Sequence, residues 1–349
     1  MKTMKALVIE KDFSYTLKEL PIPKFGEYQA LVKVQASAVC GTDLKLLRGK
    51  FQGFTNYPTI LGHEAVGVVV KRGAKVRNYD IGDMILHPAL FDTIDGHYSS
   101  FGAMAEYSLI EDHKALLQDG IPIDEIHHHD ISRIQCKISS QLKPIPATML
   151  ITFREVMTAY NRVGVKPGQS LVLYGLGPAG QVVLNLCKQA GVKTVVITRR
   201  AETAQFAKEL GADFAIDSSV ENATLQVRKY FPDGVDVVWD AAGLTSVIND
   251  GLQMIKLFGK IVLYGVMADT NCMLDWKGKP LSFELIFYQW PDMNAEIEII
   301  DELVEMMLDG RINGMDYISD VLPFSKAVEG IDMFLERRNR KKIVFDFSE

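Results

Sequence analysis

Three side chains stand out for chemistry they could share. "SAVCGTDLK" carries a single thiol, Cys40, at the end of an apolar run, and "ILGHEAVG" sets His63 beside Glu64 in a stretch that is otherwise apolar or glycine. One sulfur, one imidazole and one carboxylate form the ligand set of a borderline-soft metal such as zinc. Buried without an ion, Glu64 is costly to keep charged and His63 needs a hydrogen-bond partner. Each alone is ordinary: a core cysteine, a satisfied histidine, a salt-bridged glutamate. As a trio beside a dinucleotide-binding fold, they point to a metal site.

The dinucleotide signal is "VLYGLGPAG", with Gly175, Gly177 and Gly180 in G-x-G-x-x-G spacing and Pro178 and Ala179 between the last two. The run follows a β-branched apolar strand and opens a helix, the context this motif requires. The first glycine permits the tight turn, the second lets backbone approach a pyrophosphate, and the third allows close helix–strand packing. The helix N-terminus then offers free N–H groups and positive dipole to phosphate. NAD sites usually carry an acidic residue about 20 residues further on. Here that place holds Thr198, Arg199 and Arg200. Guanidinium groups bind a 2′-phosphate with forked, charge-assisted hydrogen bonds, and cations at a helix start otherwise oppose the dipole. NADP(H) is therefore expected over NAD(H).

The elements that must hold these groups have two textures. Residues 1 to about 110 show short alternating runs broken by glycine and proline, such as "ALVKVQA" and "AVGVVVK", the pattern of a β barrel or sandwich. From about 165, strands alternate with amphipathic helices, which argues for a parallel, doubly wound sheet. After 290 come a long amphipathic helix, a second helix near 325–338 and a closing strand, "KKIVFDF". The stretch 111–140 fits neither texture and reads as an inserted surface excursion, and the basic run 336–342, "ERRNRKK", reads as a solvated helix end.

The 349 residues are 48% hydrophobic and 23% charged with a net charge of −6, a globular composition without the basic footprint of a nucleic-acid binder. No run is long and apolar enough to span a bilayer, and the N-terminal residues alternate like a strand rather than forming a signal-peptide core. The four cysteines, Cys40, Cys136, Cys187 and Cys272, lie far apart with no C-x-x-C pair. Free thiols and a cytoplasmic location are expected, with a small molecule as partner and neither nucleic acid nor membrane.

The motifs "CGTD", "GHE" followed by a glycine, "IGDMI", "FGAMAEYSLI", "MTAY", "GVKPG" and "GLGPAG" occur in an order that resembles the zinc-dependent medium-chain alcohol dehydrogenases. The resemblance implies an α/β chain with a GroES-like catalytic domain from residues 1–153 and 290–349, interrupted at about 111–140, and a Rossmann domain at 154–289. It implies one catalytic zinc held by Cys40 and His63, with Glu64 a ligand or close neighbour, and Thr42 as the hydroxyl that relays the substrate proton. Lys45 stands where the family has a distal relay histidine. The family's third ligand falls six residues before Tyr160, at Arg154, which cannot ligate. Either the adjacent Glu155 takes that role or Glu64 and water complete the shell. Residues 84–100 contain no cysteine, so a second, structural zinc is not expected. The strand after "LIFYQW" that builds dimer sheets in the family is short here, which leaves a homo-oligomer open.

The expected reaction is hydride transfer between NADP(H) and a secondary alcohol or ketone, with a polyol, sugar or cyclitol as substrate. His87, Asp92, Asp95, His97, His127, His128 and His129 are candidates to hold its hydroxyls. Two other readings remain: a metal-free relative similar to the quinone reductases, kept open by Arg154, and a dinucleotide-binding protein without catalysis.

Overall fold

The computed structural model describes all residues except 1, 52–53, 127, 268–270, 276, 278, 337–339 and 349. The chain forms two compact units, one from Met1–Arg154 with Met293–Glu349 and one from Glu155–Asp292.

The first unit is built on two sheets. In the larger, Ile318–Pro323, Lys342–Asp346, Gln29–Ala38, Glu64–Arg72, Met84–Leu86 and Cys136–Ile138 lie side by side, with Tyr107–Glu111 also on Gln29–Ala38. The smaller contains Tyr15–Pro21, Thr3–Ile9, Thr59–Ile60 and Tyr98–Ser99. Inward-facing residues such as Leu7, Val34, Leu61, Ala65, Met104 and Phe345 form one apolar core. Each large side chain buried there contributes about 1.5–3 kcal/mol. Gln29–Ala38 is the organising strand. At its end Ala38 stands opposite both Glu64 and Val344, on antiparallel partners. That register brings the residues just after Ala38, the Glu64 strand and the last strand of the chain to one place.

The stretch 111–140 is largely exposed over residues 117–125 but is otherwise built into the fold. It contains the helices His113–Gln118 and His129–Ile134 and the sheet strand Cys136–Ile138. Buried Asp112 caps the first helix by accepting from the Ala115 N–H at 3.0 Å, and it also accepts from the Arg77 and Asn78 backbone N–H groups and the Asn78 amide. Buried Gln135 donates to the His87 and Leu109 carbonyls and accepts from the Glu111 N–H. Polar residues that read as loop surface are satisfied inside the fold. The basic run needs the same correction. Lys342 opens the strand Lys342–Asp346 and is only 3% exposed, whereas residues 337–339 lie outside the described set.

The second unit is a six-stranded, all-parallel sheet in the order Phe214–Asp217, Lys193–Thr198, Ser170–Tyr174, Val235–Asp240, Ile255–Leu263, Glu284–Phe287. Helices Pro178–Gln189, Ala201–Glu209, Ala223–Tyr230 and Ser246–Met254 connect the strands. Every residue of Ser170–Tyr174 is buried, as expected for a strand covered on both faces. The order reverses between Ser170–Tyr174 and Val235–Asp240, the switch point at which such sheets bind ligands. Among the described residues no helix is long and apolar enough to cross a membrane.

Removing the Asp112 carboxylate leaves three backbone donors without their acceptor. Asp112→Ala should cost the first unit about 2–4 kcal/mol in urea unfolding followed by circular dichroism, and Asp112→Asn, which keeps one oxygen, should cost less.

Candidate functional site

Cys40 occupies the position just before the short helix Gly41–Leu47. Asp43, three residues on, folds back so that its Oδ2 accepts from the Cys40 N–H at 2.8 Å. This local bond fixes the backbone that carries the thiol. The other oxygen of the fully buried Asp43, Oδ1, faces His63 Nδ1 at 3.6 Å. That is too long for a hydrogen bond, but it turns Nδ1 toward a carboxylate and leaves Nε2 for an ion, as in carboxylate–histidine–metal arrangements. Burial works to discharge His63, yet its neighbours Cys40 and Asp43 hold its pKa well above the ordinary value. The surroundings of this imidazole favour positive charge.

Glu64 opens the strand Glu64–Arg72 and is 1% exposed. Its Oε1 accepts from the Thr152 hydroxyl at 3.0 Å, and its Oε2 is paired with the Lys342 ammonium. Burial pushes its pKa up, but Lys342, helped by His63, keeps it below the usual carboxylate value. Cys40 Sγ, a ring nitrogen of His63 and an oxygen of Glu64 all lie within 4.8 Å of one another. Among the described residues this is the one group of three or more such ligands, and Glu155 is not part of it. The donor set fits a borderline-soft cation.

Arg154 is buried rather than exposed. Its guanidinium donates to the Ile134 carbonyl at 2.8 Å and to His87 Nδ1 at 2.7 Å, and its Nε lies 3.2 Å from the buried carboxylate of Glu296. Thr42 and Lys45 are half-buried on the helix Gly41–Leu47.

The residues considered as hydroxyl holders do not converge. His87 is buried against Arg154, Asp92 and Asp95 are exposed, and His97 Nε2 sits 3.3 Å from Lys18 Nζ. His128 stacks on Phe91, and His129 packs on His113 with ring centroids 4.8 Å apart. His127 lies outside the described residues. Sequence reasoning missed Asp43, Lys342 and Glu296. The first could have been found as the acidic residue three positions after a helix-capping residue. The other two carry no local signal.

In the second unit Gly175 ends its strand at φ +89°. A Cβ at Gly180 would lie 2.3 Å from the Gly175 carbonyl oxygen, so only glycine fits, while the space beside Gly177 is open. Pro178 begins the helix Pro178–Gln189 with Ala179 in its first turn. These features make a cradle for a pyrophosphate at a helix N-terminus. At the next strand end the Thr198 hydroxyl donates to the Arg200 carbonyl at 3.1 Å, and the side chains of Arg199 and Arg200 are exposed.

Known proteins share this fold. Residues 26–120 match the family described as "Alcohol dehydrogenase GroES-like domain", and residues 178–285 match "Zinc-binding dehydrogenase". An alcohol dehydrogenase of Geobacillus stearothermophilus is 28% identical, covering 89% of this chain and 97% of its own length. D-arabinitol dehydrogenase 1 of Uromyces fabae is 24% identical over 96% of this chain and 95% of that protein. The structure of benzyl alcohol dehydrogenase from Acinetobacter calcoaceticus superposes with a TM-score of 0.81 at 18% identity, covering all of both chains. The chain belongs to the zinc-dependent medium-chain alcohol dehydrogenase family.

Removing one partner of a buried ion pair is far more costly than replacing both. Lys342→Met should therefore destabilise the first unit by about 3–5 kcal/mol in chemical unfolding, and the double variant Glu64→Gln with Lys342→Met should recover much of that loss.

Proposed function

We propose that the protein is a zinc-dependent oxidoreductase that interconverts a secondary alcohol and its ketone with NADP(H), and that its substrate is a polyol or a related sugar or cyclitol. The observation that carries this reading is the convergence of Cys40, His63 and Glu64 within 4.8 Å in the first unit, in a chain whose second unit holds a phosphate cradle. The alcohol and polyol dehydrogenases among its relatives support the substrate class.

Cys40 and His63 hold the ion, and Asp43 orients His63. Glu64, retained by Lys342 and Thr152, stays beside the site as a reserve carboxylate. When bound, zinc supplies Lewis acidity toward an alcohol oxygen and the nicotinamide supplies the hydride chemistry. The Thr42 hydroxyl accepts the alcohol proton and passes it outward, with Lys45 on the same helix as the next polar group. Gly175, Gly177, Pro178, Ala179 and Gly180 bind the pyrophosphate, and Arg199 and Arg200 grip the 2′-phosphate beside Thr198. Glu155 is not assigned a ligand role. A metal-free reductase is the weaker reading, because a reductase of that kind gives no role to a thiol, an imidazole and a carboxylate gathered within 4.8 Å.

Two measurements test the proposal. Elemental analysis after dialysis should find about one zinc per chain, and Cys40→Ser should lose both the metal and alcohol oxidation. Full activity in a metal-free preparation would refute the zinc assignment. In steady-state assays, Arg199→Ala with Arg200→Ala should raise the KM for NADP roughly tenfold or more while changing that for NAD little.

A further inference from the structure

His87 combines several features that ordinary core histidines lack. Its backbone is left-handed at φ +64°, an uncommon conformation for a residue other than glycine. It is held there from two sides, since Gln135 donates to its carbonyl at 3.0 Å and Arg154 donates to Nδ1 at 2.7 Å. An arginine can only donate, so Nδ1 is the acceptor and the proton of the neutral ring sits on Nε2. Burial, then the charges of Arg154 and His63, keep the His87 pKa well below its ordinary value. The ring is therefore a neutral donor, and its Nε2–H points away from Arg154. That nitrogen is buried and has no hydrogen-bond partner among the described residues. With its proton on Nε2 the ring is not a metal ligand.

The aromatic ring stacked on His87 is Phe101. Its ring lies 5.8 Å from that of His87 and 5.5 Å from that of His63. Phe101, half-buried and itself at φ +68°, is thus a neighbour that the two imidazoles share, and the unpartnered His87 donor lies within one side chain of the metal-binding histidine.

We infer that His87 is a specificity residue whose Nε2–H binds a second oxygen of the substrate, a hydroxyl or carbonyl near the carbon that is oxidised. This rests on the dehydrogenase reading above and narrows it to diols, polyols and hydroxyketones. Arg154 and Gln135 are positioning residues, the first fixing the tautomer and the second the backbone. A site built to donate to such an oxygen discriminates strongly against a substrate that lacks it, because the buried donor is then left unpaired.

The test compares 2,3-butanediol with 2-butanol, secondary alcohols that differ by one hydroxyl, at saturating cofactor. His87→Asn suits the left-handed backbone and can still accept from Arg154, but it has no atom at the Nε2 position. It should lower kcat/KM for the diol about ten- to hundredfold more than for 2-butanol, mainly through KM. His87→Gln, whose amide reaches further, should regain part of the difference. An equal fall for both alcohols, or none for the diol, overturns the inference while leaving the dehydrogenase reading intact. Should the unmutated enzyme oxidise neither alcohol, the dehydrogenase reading fails for these substrates, and ¹⁵N-histidine NMR of the unmutated protein decides the role of His87. The Nε2–H tautomer, with its nitrogen shifting on addition of 2,3-butanediol, supports it. An Nδ1–H or charged ring, or an unmoved Nε2 signal, overturns it.

Discussion

Glu64 is a carboxylate with almost no access to water, and the ammonium that makes its charge tolerable arrives 278 residues later in the chain. A lone ion in such a place costs several kcal/mol, so the Glu64 strand is comfortable only when the final strand is docked on Gln29–Ala38. The register at Ala38 makes that docking geometric as well as electrostatic. His63 is the immediate neighbour of Glu64, and Cys40 lies two residues beyond Ala38. The same register that brings the thiol and imidazole together thus also brings the C-terminal strand, with Lys342, to the Glu64 carboxylate.

The buried charges of that unit divide into two kinds. Glu64 with Lys342, and Arg154 with Glu296, are pairs whose members compensate each other. Around His63 the arrangement differs, since Cys40 and Asp43 both raise the charge affinity of the imidazole and neither is a cation. Compensated pairs hold a fold together, whereas the groups around His63 favour a positively charged imidazole and offer the donor atoms of a metal site. With two neighbouring carboxylates carrying different partners, one of them remains free to orient His63 while the other is tied to the C-terminal strand.

Much of this was legible from the sequence, for physical reasons that differ between the units. The parallel sheet announces itself because buried strands are continuous apolar runs and each helix is amphipathic, and the glycine loop is readable because its spacing reflects a backbone requirement met within six residues. Cys40, His63 and Glu64 were readable because polar groups in apolar runs demand an explanation. Asp112, Gln135, Glu296 and Lys342 were not. Each lies in a segment whose pattern is that of a loop, a solvated helix face or a charged helix end, and each is satisfied by groups distant in sequence. Periodicity reports which face is usually wet. It cannot report that one polar residue on that face has been paired inside.

Of the four non-glycine residues with a left-handed backbone among the described residues of the first unit, two, His87 and Phe101, lie where its polar networks meet. His87 and Phe101 are both left-handed, and conformations of this kind cost of order 1–3 kcal/mol each for residues with side chains. They persist only where the surroundings over-determine them. At His87 the over-determination is visible, for Gln135 fixes the carbonyl and Arg154, which stands where the family carries a ligand, fixes the ring. Arg154 is itself held by Glu296 on the helix Met293–Leu308, the helix that begins the C-terminal part of the unit. The same C-terminal part that neutralises Glu64 through Lys342 thus also sets the tautomer of His87 through Glu296 and Arg154. A change at Glu296 is transmitted through Arg154 to a ring that stacks on Phe101, without altering any candidate metal ligand.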